Sequence, residues 1–230
     1  MDVDPVSLKF FQPGLFDTEQ GTAGVIELFP KVWGAAEGLT DPDVNNRRMG
    51  LECIVELNAA RYLPLIAYLL CTRLNDPDLD FRGRIVIAIA QLFSPGENGE
   101  NTAQLIKHVL KHHLSQMDAN DIYSLLEVAE HDPAADKRVA LLIKTCPKAG
   151  EHLSTLMIDR SKPIAIRNQA VCMIGRIGYV DALPVVERLA AKLEARVNGQ
   201  QMMPFTQPEN SDEVKLLPAV LSTQEILRAP

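Results

Sequence analysis

Apolar residues recur along most of this chain every three or four positions, a spacing that predicts amphipathic helices. Over 43–57 it sets Val44, Leu51, Ile54 and Val55 on one side and Asn45, Arg48, Glu52 and Glu56 on the other. The first set is expected to pack; the second supplies candidate groove residues if this is the inner helix of a pair. Over 23–37, Val25, Phe29, Val32, Trp33 and Ala36 share a stripe, which puts the single tryptophan in the core. The run IVIAIA, Ile85–Ala90, is apolar all round, so the helix predicted at 79–93 is expected to be the least exposed. The spacing predicts further helices at 61–74, 102–117, 120–130, 133–145, 148–159, 163–177, 180–196 and 212–227, with Asn101 and Gln104 spaced as a capping box at the start of the fifth. Two stretches break the pattern. Residues 1–21 mix Pro5, Pro13 and Gly14 with Phe10, Phe11, Leu15 and Phe16 and read as an irregular arm that caps the first helix. Residues 198–211, NGQQMMPFTQPENS, read as a loop of a length that is commonly functional or disordered.

A turn signal recurs on top of the helices: DPDVNNR at Asp41–Arg47, DPDLDFR at Asp76–Arg82, DPAADKR at Asp132–Arg138, and a degenerate SKPIAIR at Ser161–Arg167. Proline has no N–H to donate and biases the residue before it away from the α region, so each motif ends one helix and opens another. An aspartate there accepts from the unpaired N–H groups of the new helix. The arginine six positions on lies inside that helix, within reach of an aspartate on its own or a neighbouring turn. Shifting the chain by thirty-five positions lays Arg82 on Arg47, Val86 on Leu51 and Ile89 on Ile54. Between Asp76 and Asp132 the interval grows to fifty-six, which implies either an inserted helix or a diverged repeat.

On these motifs, and on the LPxL segments that precede them, the chain resembles HEAT repeats; Ile166–Leu189 resembles the short bacterial form found in phycobilin-lyase-type HEAT proteins. The resemblance spans residues 22 to 195 or so. It implies an all-α, right-handed α-α superhelix of about 10–12 helices. The divisions are then an arm or cap at 1–21, HEAT-like repeats at 22–197, a loop at 198–211 and a C-terminal capping segment at 212–230. The resemblance also implies that Asp41, Arg47, Asp76, Arg82, Asp132, Arg138 and Arg167 form a structural ladder, interrupted where Ser161 stands in place of aspartate.

Composition narrows the function classes. A net charge of −7 argues against a nucleic-acid-binding body. The acidity is concentrated in residues 1–60, where ten acidic residues face four basic ones, whereas 151–200 carries five against seven. Cys53, Cys71, Cys146 and Cys172 form no CxxC pair and read as reduced core residues of helices, pointing to a cytoplasmic protein. The opening MDVDPVSLKFF lacks the basic and apolar regions of a secretory signal, and no apolar run approaches the roughly 18 residues of a membrane span.

Candidate chemistry is sparse. His108 and His112 share a helix face at the spacing of metal ligands, but Lys107 and Lys111 put cations beside them. HEAT-repeat deoxyhypusine hydroxylases use paired His-Glu motifs; here the order is reversed, in Glu130-His131 and Glu151-His152. No catalytic residue, metal or cofactor is therefore expected. The expectation is a non-catalytic scaffold or adaptor binding another protein, one with a basic surface, through Asn45, Arg48, Glu52 and Glu56 on a concave helix face. Two alternatives stand beside it: a phycobilin-lyase-like accessory holding a small ligand in its groove, and nucleic-acid binding through the basic residues of 160–196.

Overall fold

The computed structural model describes residues 21–96, 99, 101–198 and 211–229, with 21–29 and 211 described in backbone only. The arm and most of the 198–211 loop, together with the side chains of Val25 and Phe29, lie outside the described residues. The chain divides into two compact units, residues 1–57 and 58–230. Among the described residues the structure is all-α, with twelve α-helices and no strand. None of these helices is long and apolar enough to cross a membrane.

The first unit holds α1 (Gly21–Leu39) and α2 (Val44–Glu56). They cross closely because Gly38 and Gly50 meet: a methyl on Gly38 would sit 3.4 Å from the Gly50 Cα. Leu39, Leu51 and Ile54 fill the contact. Two sequence expectations fail here. Trp33 is 53% exposed and Val55 45%. Both lie at the edges of their apolar stripes, and in a two-helix layer only the narrow central strip, here Ala35, Ala36 and Leu39, is covered.

The second unit runs through α3 (Ala59–Tyr62), α4 (Pro64–Thr72), α5 (Leu79–Gln91), α6 (Gln104–Ser115), α7 (Ala119–His131), α8 (Asp136–Ile143), α9 (Ala149–Ile158), α10 (Ile164–Ile177), α11 (Leu183–Val197) and α12 (Leu217–Arg228). Short 3-10 turns at Pro133–Ala135, Val180–Ala182 and Ser211–Leu216 lead into α8, α11 and α12. The helix expected at 61–74 is two: Asn58 adopts a left-handed φ of 51°, and Pro64 starts α4 afresh as its first residue. As expected, Ile85, Val86, Ile89 and Ala90 of α5 are buried.

The widened interval between the second and third motifs has a structural cause. Three helices, α5, α6 and α7, fall in it; α6 packs on α4, and α7 on α5. The motif is lost at α7 because Ile122 occupies the position, N-cap plus four, held by Arg82 in α5. Helix α8, which the third motif opens, contacts α5, α7 and α10. The expected capping box at Asn101 and Gln104 does not form; the N-cap of α6 is Ala103, with no side-chain bond. Buried Arg61 holds that entry instead, donating to Ser94 O at 2.9 Å, Thr102 Oγ1 at 2.8 Å and Gln91 O at 2.9 Å. The capping box is at α7, where Asp118 accepts from Asp121 N at 3.0 Å and Asp121 accepts from Asp118 N at 2.9 Å.

Candidate functional site

The motif residues divide the work differently from the expectation. The first aspartate closes the turn: Asp41, Asp76 and Asp132 accept from the N–H two residues on, at 2.7, 3.0 and 2.9 Å. In two motifs the second aspartate caps the helix, Asp43 accepting from Asn45 N and Asp78 from Phe81 N. Asp159 makes the same turn onto Ser161 N at 2.9 Å, two positions before the start of the degenerate motif.

The arginines follow one rule. Arg47, Arg82 and Arg167 each stand four residues past the N-cap and are buried. Arg47 donates to the carbonyls of Asp41 (3.1 Å) and Pro42 (2.7 Å), and Arg82 reaches Glu127 on α7 at 2.8 Å. Arg138, expected in the ladder, breaks the rule and lies outside it. The 3-10 turn at Pro133–Ala135 makes Ala135 the N-cap of α8, so Arg138 sits three past it, turned about 100° away. It is exposed and, among the described residues, bonds Ala134 O alone, at 3.3 Å.

The four residues expected to bind a partner do share one stripe of α2. Asn45, Glu52 and Glu56 are exposed and Arg48 is half-buried. Between them stands Met49, 66% exposed, which sequence reasoning passed over. This gives the first unit an acidic stripe with an apolar centre, and α1 adds exposed Trp33 with Glu37 one turn on.

A more enclosed arrangement lies in the second unit. Arg160 follows α9, Arg167 opens α10, and Arg188 and Lys192 lie one turn apart on α11; with Ile158, Val185 and Leu189 they line a pocket of about 230 Å³. Glu213, from the turn before α12, closes one side. Its Oε1 takes Arg167 Nη1 at 3.0 Å and Arg160 Nε at 3.2 Å, and its Oε2 takes Arg196 Nη1. Burial alone would push the Glu213 carboxyl up, but hydrogen bonds from Arg196 and Arg167, with the charges of Arg160 and Arg167, outweigh it and hold it below its ordinary value. Arg167 also donates from Nε to Met157 O at 3.0 Å, so a buried cation is fully tied in. Four of the pocket's cations were legible as the basic stretch 160–196. Glu213 was not, because it comes from beyond the loop; the uncompensated charge of that stretch was its only signal. A second pocket of about 420 Å³ lies between α11 and α12, where Arg228 holds Glu187 at 2.7 Å.

The remaining chemistry is dispersed. His108 and His112 are exposed on α6, while half-buried His113 packs edge-on against Tyr68, centroids 5.8 Å apart. His131 pairs with Asp80 at 2.9 Å. Among the described residues no three His, Cys, Asp or Glu side chains are grouped to hold a metal. Cys71 is buried, which pushes its thiol up to about 12, far from a thiolate nucleophile. Cys146 is buried in the turn before α9, outside any helix, and Cys53 and Cys172 are half-buried. Set against protein-family models, curated proteins and solved structures, the chain matches none of them, so the likeness to HEAT repeats rests on its own residues.

Proposed function

We propose that this chain is a non-catalytic protein-interaction module of the HEAT type, a right-handed α-α superhelix that docks a partner with a basic surface on its first unit. The observation that carries the binding reading is Trp33. It is the only tryptophan in 230 residues, and 53% of its surface is left in solvent beside Glu37. Burying so large an apolar ring is among the strongest gains open to a small helical unit, and tryptophan is enriched where interfaces concentrate their energy. On α2, exposed Met49 lies among Asn45, Glu52 and Glu56, an apolar centre with an acidic rim. The repeat part of the reading is supported by the buried arginine four past the N-cap in α2, α5 and α10, each beside an aspartate turn.

The test is capture of partners by the immobilised chain, with W33A and an E52K/E56K double variant as controls, and Trp33 emission as a direct readout. A genuine partner shifts the emission to the blue and loses about 30-fold in affinity to W33A, the roughly 2 kcal/mol of an anchor residue. Charge reversal slows association more than it speeds dissociation. Equal capture by wild type and both variants would remove this face from the reading.

A further inference from the structure

The pocket between the α9–α10 connection and α11 has a charge problem that the protein does not itself solve. Both Glu213 oxygens are engaged by Arg160, Arg167 and Arg196. That leaves Arg188 and Lys192, which meet no carboxylate among the described residues; Arg188 only donates from Nε to Pro184 O, at 3.3 Å within its own helix. Like charges one turn apart on a helix repel, and these two exposed side chains line one concave site. The remaining lining residues are apolar: Ile158, 52% exposed at the end of α9, and Val185 and Leu189 on α11 itself.

We infer that this pocket binds a phosphate monoester with a small apolar ester group. The phosphate dianion can meet both cations that lack a carboxylate contact among the described residues, where a single carboxylate carries half its charge. Guanidinium offers a planar fork to two phosphate oxygens, and the lysine ammonium supplies a movable point charge. Arg160 stands at the mouth of the same pocket, already oriented by Glu213. The apolar lining has no use for inorganic phosphate, whose oxygens seek only donors; it fits a group such as a phenyl ring or short alkyl chain. A volume of about 230 Å³ is in the range of such a compact molecule and is too small for an extended chain. The site lies wholly within the second unit and stands whether or not the α1–α2 face binds a protein.

The test is calorimetric titration of the full chain at pH 7.5 and fixed ionic strength with phenyl phosphate, inorganic phosphate and benzoate, followed by the same titrations on R188A/K192A and I158N. All three substituted side chains are exposed or at the pocket rim, and far-UV spectra check that the fold is kept. Phenyl phosphate should saturate a single site about 10-fold more tightly than inorganic phosphate, from the apolar area the ring buries, with benzoate weakest. R188A/K192A should weaken both phosphates by at least about 10-fold. I158N should remove the advantage of the phenyl group and leave inorganic phosphate unchanged. Absence of saturable binding at millimolar phenyl phosphate, binding indifferent to R188A/K192A, or benzoate matching phenyl phosphate would each overturn the inference. So would a single-stranded oligonucleotide that binds more tightly than phenyl phosphate and loses that binding in the same double variant.

Discussion

Gly50→Ala is the sharpest test of how the first unit is built, because two effects of similar size oppose each other. Alanine is the better helix former by about 1 kcal/mol, so in open space the substitution stabilises. At Gly50 the added methyl would lie 2.6 Å from Ala35 O, 2.7 Å from Leu39 N and 2.9 Å from the Gly38 carbonyl carbon, whereas ordinary contact begins at 3.4 Å. All three atoms are α1 backbone, so no rotamer change relieves the clash and the helices must part by about 0.8 Å. A gap of that size forfeits a quarter to a half of the dispersion attraction across Leu39, Leu51 and Ile54. Overpacking of this kind costs about 1–3 kcal/mol, and a backbone clash belongs at the upper end. The net expectation is destabilisation by about 1–2 kcal/mol. Gly34→Ala and Gly83→Ala are matched controls: a methyl meets nothing within 4 Å at Gly34, and only Val128 Cγ1 at 4.0 Å at Gly83. Both should stabilise, by about 0.5–1 kcal/mol. Urea unfolding followed by far-UV circular dichroism and Trp33 emission reads all three. If Gly50→Ala proves as stable as the parent, or the controls fall with it, the close crossing is wrong.

Three further outcomes are expected. Glu213→Gln leaves Arg167, 4% exposed, without its counter-charge and should cost about 2–4 kcal/mol at neutral pH. Because the folded carboxyl titrates below its ordinary 4.5, this contribution is complete above that pH and is lost as the pH falls through the folded value, so parent and variant should converge in acid. Cys71, raised from 9.0 to about 12, should resist thiol reagents at pH 8 in the native protein; stability should fall as the pH rises from 9 toward 12, where only the unfolded thiol ionises. Arg61→Ala strands three acceptors at the entry to α6 and should cost about 2–4 kcal/mol, whereas exposed Arg138→Ala should change stability by less than about 0.5 kcal/mol. Equal effects in this last pair would show that burial does not decide what an arginine contributes here.

Much of the architecture was legible locally. Helix positions followed from apolar spacing, with ends displaced by a few residues wherever proline or a 3-10 turn took over the boundary, as at Pro64 and Pro133–Ala135. The candidate α2 stripe was legible too, since residues seven and eleven apart must share a helix face. The tryptophan was misplaced because an apolar stripe says which residues prefer burial and says nothing of how wide a partner layer will cover it. The cationic pocket was half legible: Arg160, Arg188 and Lys192 stood out as a basic stretch, but its carboxylate came from the 3-10 turn before α12.

What the sequence alone determined is the local geometry. The aspartate turns, the caps and the helical periodicity arise from groups within four or so residues of one another, where backbone stereochemistry leaves few choices. Tertiary structure decided the fate of chemically identical side chains. Arg167 is buried against Glu213 while Arg138, in the same motif, is out in water, because one residue of helical phase turns a side chain by about 100°. Tertiary structure also decided which charges would be matched. Glu213 meets Arg160, Arg167 and Arg196, while Arg188 and Lys192 meet no carboxylate among the described residues. Attraction between charges depends on distance in space, and the chain brings residues together in an order its sequence does not state.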